Sequence, residues 1–288
     1  MPTESTSLSL LSIISLISFF VVLTVSKFSY KIGNNILLDK DFDKPQAFHK
    51  DSVPRSGGLA AIISLTIFFL FYYFLFKEIL IEYLALSIMM FLIGFFEDIK
   101  FNISASYRLI SMTLILIFFI SFFSITINSI DLSLLNVWIR NNIFSTIFIT
   151  LCFLFIINGA NLIDGFNGLL TIHLLIINSI LFYINLDNDH QTLAMVITAQ
   201  MVVLLSFLLF NFPKAKMFLG DSGSYLFGSL VALNIVNTNN LNPGISSFFF
   251  CTLLFYLFFE VFFSFFRKLY LKKSPLKPDK FHLHMLLY

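Results

Sequence analysis

Charge is what this chain has least of. Only 12% of its 288 residues are charged, where a soluble domain would carry about a quarter. With 58% hydrophobic residues and a mean hydropathy of +0.91, the shortage excludes an ordinary water-soluble domain. Cysteine is nearly absent as well. Cys152 and Cys251 both lie inside apolar runs and lack the spacing of a metal or redox pair, which leaves buried, inert thiols. There is no basic domain, so nucleic acid is excluded as a partner. No basic residue precedes the first apolar run and no small-residue cleavage site follows it, which excludes a cleaved signal peptide.

What is there in abundance is apolar length. Runs over residues 8–26, 59–76, 79–96, 109–127, 143–157, 169–186, 193–210, 225–236 and 246–266 predict an all-α, polytopic integral membrane protein of about nine transmembrane helices. They form one multi-helix domain over 1–288. Nine spans divide the connecting loops into two sets. Of the 18 Lys and Arg, only Lys77 and Arg140 fall in the set that holds the N-terminus. The others crowd into residues 27–57, 97–108, 211–224 and the tail from 267. The positive-inside rule then places the N-terminus outside and the crowded set in the cytoplasm.

The crowded set also holds the unusual polar residues. Asn158-Gly-Ala-Asn161-Leu-Ile-Asp164-Gly165-Phe-Asn167-Gly168 is a polar, glycine-bearing island between two apolar runs. Such an island is costly in a bilayer unless it faces protein, water or a ligand. On the same side lie Asp43-Lys-Pro45, His49, Pro54-Arg55-Ser-Gly57-Gly58, Glu97-Asp98, Arg108, Gly220-Asp221-Ser-Gly-Ser224 and His282-Leu-His284. Carboxylates without a cysteine or histidine cluster suit Mg²⁺ or Mn²⁺ rather than zinc. The two glycine segments each precede a helix, so their free N–H groups are expected to receive phosphate oxygens. Lys, Arg and His nearby add charge-assisted donors. This points to phosphoryl transfer at the cytoplasmic membrane surface, with an apolar groove for a lipid. Glu260 lies within the ninth run and, as an intramembrane acid, either faces that groove or pairs with a loop cation. A transporter relay is the alternative; it calls for acids near the midplane and an inverted repeat, and the chain shows no repeat.

In order and spacing, these motifs from about residue 40 onward resemble the polyprenyl-phosphate N-acetylhexosamine-1-phosphate transferase family, and within it the WecA-like rather than the MraY-like members. The resemblance implies transfer of a HexNAc-1-phosphate from a UDP-HexNAc to a polyprenyl phosphate, with release of UMP, at a bacterial plasma membrane. It implies Mg²⁺ as cofactor, membrane lipid as surroundings, and allows a homodimer. Asp221 matches the metal-binding aspartate, and Asp164 the essential Asp-Gly aspartate, which serves as a catalytic and metal-binding candidate. Asp98, with Glu97, matches the catalytic acidic pair at the lipid-phosphate end, with Asp98 as the base that keeps that phosphate deprotonated. Asn158, Asn161, Asn167, His49, Arg55, Arg108, His282 and His284 are the substrate-binding candidates. Three departures stand out: Glu97 replaces an aspartate, Asn167 replaces an acid tied to the nucleotide, and the chain stops at Tyr288 where family members continue into a further span, so a shortened or inactive member is a second alternative.

Overall fold

The computed structural model describes residues 4–31, 36–39, 52–101, 103–275 and 281–287. In chain order they form α1 (Glu4–Phe28), a minimal antiparallel hairpin of β1 (Leu38–Asp39) and β2 (Val53–Pro54), α2 (Gly57–Phe76), α3 (Ile81–Asp98), α4 (Ala105–Phe122) and α5 (Ser133–Ile139). Then come α6 (Asn142–Ile163), α7 (Leu169–Asp187), α8 (Gln191–Asn211), α9 (Gly220–Leu241), α10 (Ser247–Leu253), α11 (Phe255–Tyr270) and the short α12 (Leu283–Leu286). Among the described residues, six helices, α1, α2, α4, α6, α7 and α8, are long and apolar enough to cross a membrane. The pair α10 and α11, bent by 68° at its break, makes a seventh if taken as one span. The expected nine therefore rest on α3 and α9, which stand where the third and eighth spans were placed. Leu70, Phe74, Phe118, Phe122, Leu209 and Phe266 are exposed, as befits side chains whose surroundings are lipid.

Local chemistry sets several helix ends. Asn141 accepts from the N–H groups of Ile143 and Phe144 at the start of α6, and Ser246 from that of Phe248 at the start of α10. Such caps satisfy donors that the helix itself cannot. α2 closes on Lys77, whose φ of 57° is left-handed and whose N–H reaches the carbonyl of Tyr73.

α9 is the centre of the bundle. It is buried without a break from Ser222 to Val236, and it is longer than the apolar run 225–236 suggested. Its extra turns are polar, and other helices satisfy them. Asn234 donates to Asn178 Oδ1 on α7 at 3.2 Å and to Gln200 Oε1 on α8 at 2.8 Å. Asn237 donates to the hydroxyl of Tyr83 on α3 at 3.0 Å, and Asn185 of α7 donates to Thr238 at 2.8 Å. A polar residue partnered inside the protein does not have to end a helix at membrane depth. The same holds for α6, expected to stop at 157 but continuous to Ile163. There Asn158 bonds back to the carbonyl of Leu154 at 2.7 Å, and Gly159 lets α11 approach so closely that a Cβ would lie 2.7 Å from the carbonyl oxygen of Leu257.

The two ends of the bundle reproduce the two loop sets. Asn128, Asp131, His190 and Ser246 meet the C-terminal end of α9 or one another, and the island, the segment before α9 and the histidine tail gather at the other. Replacing Asn234 with Ala strips Gln200 and Asn178 of their shared partner, and the expected loss is about 1 kcal/mol or more. Thermal unfolding in detergent measures it; unchanged stability would remove the amide cluster as a support of α9.

Candidate active site

Two distant segments are sewn together at the crowded end. Arg55 and Phe218 form a parallel bridge. Phe218 N–H donates to the carbonyl of Pro54 at 2.8 Å, Gly57 N–H to that of Phe218 at 2.9 Å, and Gly58 N–H to that of Leu219 at 2.8 Å. The glycines make this contact possible. A Cβ on Gly58 would strike Ser222 and Gly223, and one on Gly94 of α3 would strike the backbone of Asp221 and Ser222. The starts of α2 and α9 and the end of α3 thus meet backbone to backbone.

Asp98 closes this junction. Its buried carboxylate accepts from the N–H of Asp221 at 3.0 Å, the N–H of Ser222 at 3.0 Å and the hydroxyl of Ser222. It therefore serves the first turn of α9 as a capping acid supplied from another helix. Here the structure corrects the expectation of free N–H groups for phosphate. Those of Gly57 and Gly58 are taken by Phe218 and Leu219, and those of Asp221 and Ser222 by Asp98.

Asp221, held at the first turn of α9, is the hub. Its Oδ2 faces Arg108 Nη1 at 3.0 Å, and the same nitrogen lies 3.2 Å from Glu97 Oε1. Its Oδ1 accepts from Asn161 Nδ2 at 3.1 Å, and Asn161 also reaches Ser224. Asp164 caps the C-terminal end of α6. Burial first, and like-charge repulsion from Asp221 second, push its carboxyl well above the usual range, with Arg55 pulling the other way. Arg55 places Nε and Nη2 on Asp39 Oδ2 at 3.0 and 2.7 Å. Burial opposes its charge, but Asp221, Asp39 and Asp98 outweigh burial and hold the guanidinium above its ordinary value.

The histidine tail forms a second cluster against the island. His282 Nδ1 lies 3.1 Å from Glu260 Oε2, and Leu283 N–H donates to Glu260 Oε1 at 2.9 Å. The ring of His284 stands edge-on to Phe166, centroids 5.6 Å apart. A Cβ on Gly165 would come within 2.9 Å of His284 Nε2.

Comparison with known proteins bears on this arrangement. Residues 80–239, more than half of the chain, match the family described as glycosyl transferase family 4. The chain belongs to glycosyl transferase family 4. An undecaprenyl-phosphate α-N-acetylglucosaminyl 1-phosphate transferase of Thermotoga maritima is 30% identical over 94% of this chain and 78% of its own length. Phospho-N-acetylmuramoyl-pentapeptide-transferases of Dictyoglomus turgidum and Clostridioides difficile are 29% and 26% identical, over 77% and 91% of this chain and 73% and 86% of theirs.

In this family 4 chain, Glu97, Asp98, Arg108, Asn161 and Asp221 form one bonded set, with Arg55 and Asp164 within reach of its charge. Asn158 and Asn167 stand apart: Asn158 bonds back within α6, and Asn167 donates to the carbonyl of Pro213 at 3.0 Å. His284 reaches the island at Gly165 and Phe166, while His282 pairs with Glu260. His49, Asp43 and Pro45 lie outside the described residues. Among the described residues no three His, Cys, Asp or Glu side chains form a ready-made metal cluster. Asp221 and Asp164 are the oxygen donors that could hold a cation, and two carboxylates suit Mg²⁺, which takes its remaining ligands from water and phosphate.

The motifs leave out Asp39, give Ser222 no role of its own and leave Glu260 without a definite partner. An acid inside an apolar run was the one available signal; Asp39 gave none, because its role arises only when the hairpin brings it to Arg55. Gly220, with φ +78° and a would-be Cβ 2.6 Å from Asp98 Oδ2, offers a test. Gly220→Ala is expected to cost about 1–3 kcal/mol, and distinctly less when Asp98 has first been shortened to Ser. Equal losses in both backgrounds, measured by thermal unfolding as a double-mutant cycle, would show that Asp98 is not what the alanine meets.

Proposed function

We propose that this protein transfers a HexNAc-1-phosphate, of the GlcNAc type, from its UDP-sugar to undecaprenyl phosphate at the cytoplasmic face of a bacterial plasma membrane, with release of UMP. The observation that carries this reading is the bonded set around Asp221 at one end of a membrane bundle, in a chain of family 4. The Thermotoga maritima relative's name supports both the lipid acceptor and the GlcNAc donor. The concentration of Lys and Arg at this end supports the cytoplasmic side.

The chemistry asks little covalent work of the protein. An oxygen of the lipid phosphate attacks the β-phosphorus of the UDP-sugar; the bond from that phosphorus to the bridging oxygen breaks, and the bridging oxygen leaves with UMP. An alkyl phosphate has a second pKa of about 6, so at neutral pH the attacking group is largely ionised without a dedicated base. Positioning and charge neutralisation are what remain. Asp221 and Asp164 would hold Mg²⁺, which when bound supplies cationic charge to the pyrophosphate. The two oxygens of Asp221 already accept from Arg108 and Asn161, yet a carboxylate has about four lone-pair sites, so capacity is left. Arg108 and Arg55 bring fixed positive charge toward the phosphates. Asp98 acts through the α9 terminus it caps and so aims Asp221.

Membranes carrying the protein, incubated with Mg²⁺, undecaprenyl phosphate and labelled UDP-GlcNAc, are expected to yield an organic-extractable sugar lipid and UMP. Chelation by EDTA should abolish the product and added Mg²⁺ restore it. Asp221→Asn is expected to lower turnover at least about a hundredfold. Absence of lipid-linked product with every UDP-HexNAc tried would sink the reading.

A further inference from the structure

α11 is rich in phenylalanine and carries a single acid, Glu260, with none of its surface exposed. A carboxylate in such a place is costly unless it is fully partnered. The partners come from three consecutive tail residues. His282 Nδ1 lies at 3.1 Å, the N–H of Leu283 at 2.9 Å and His284 Nδ1 at 3.5 Å. One turn back on the same helix, the hydroxyl of Tyr256 sits 3.3 Å from His284 Nδ1. The two imidazoles stack, 5.7 Å apart and 12° from parallel.

A carboxylate can only accept hydrogen bonds. It therefore keeps the proton of His282 on Nδ1, and it draws the proton of His284 to the same ring position. With Nδ1 committed inward, Nε2 of each ring is turned away from α11. For His284 that atom is buried and has no hydrogen-bond partner, and it looks onto Gly165, the residue after Asp164. Only glycine leaves room for it there. One buried acid thus sets the tautomer and direction of a ring nitrogen delivered to the island, the arrangement by which outer partners orient ligating histidines elsewhere.

We propose that Glu260 is a positioning residue of the transferase: by gripping the tail at His282, Leu283 and His284 it presents His284 Nε2 at Gly165 to a phosphate of the nucleotide sugar. This rests on the transferase reading above and goes beyond it in placing a determinant of nucleotide binding on α11. Tyr256 shares the task by supporting the same ring nitrogen.

The test compares purified wild type with Glu260→Gln, which keeps the volume but turns an amide N–H₂ toward donors that need an acceptor. The Michaelis constant for UDP-GlcNAc and the dissociation constant for UMP, the latter by calorimetry, are expected to rise about tenfold or more. The Michaelis constant for undecaprenyl phosphate should stay within twofold. A purely structural role would instead damage both substrates and turnover alike, and that outcome, or unchanged nucleotide constants in a folded variant, overturns the proposal. Where Glu260→Gln fails to give a monodisperse protein, Tyr256→Phe decides, with an expected rise of about two- to fivefold in the nucleotide constants alone and no rise overturning it. If the wild type binds UMP but transfers no HexNAc, the transferase reading fails, and the UMP constants of the two variants still decide the role of Glu260.

Discussion

The first N–H groups of an α-helix have no partner within it, and leaving one unpaired in a buried place costs about 1–3 kcal/mol. α9 begins inside the bundle, so it needs an acceptor from elsewhere, and Asp98 at the end of α3 supplies it to Asp221 and Ser222. This contact does two jobs at once. It lets the central helix start at depth, and it puts the Asp221 side chain beside Arg108 and Asn161. The stitching of Pro54, Gly57 and Gly58 onto Phe218 and Leu219 then fixes the start of α2 against the same turn.

Close backbone approach is the second requirement, and glycine provides it. Gly58, Gly94 and Gly220 stand where α2, α3 and α9 converge, and at each an added Cβ would meet backbone or the Asp98 carboxylate. Gly165 plays a comparable part for His284, and Gly159 for α11. The glycines that mark these motifs serve interlocking of the chain with itself, and the N–H groups of Gly57, Gly58, Asp221 and Ser222 are already engaged.

Polarity inside the bundle follows the same logic. Asn178, Gln200 and Asn234 form an amide cluster between α7, α8 and α9, and Glu260 is held by the histidine tail. In hydrocarbon the alternative to such pairing is an unsatisfied group, so these bonded side chains help set which helices touch.

Apolar length and the placement of Lys and Arg were enough to read the helical membrane fold and the separation of two loop sets, because lipid demands long apolar helices and charge resists crossing. The types of residue in the site were legible too: Asp98, Arg108, Asn161, Asp164 and Asp221 stand in short motifs, and polar residues beside apolar runs call for an explanation. What they do to one another was not legible. The extent of α6 and α9 beyond their apolar runs, the use of Asp98 as a helix cap, the pairing of Asp39 with Arg55 and the grip of Glu260 on the tail all join residues from different elements. Hydrogen-bond partners are set by distance in space, and only the packed bundle brings those atoms within 3 Å or so of each other.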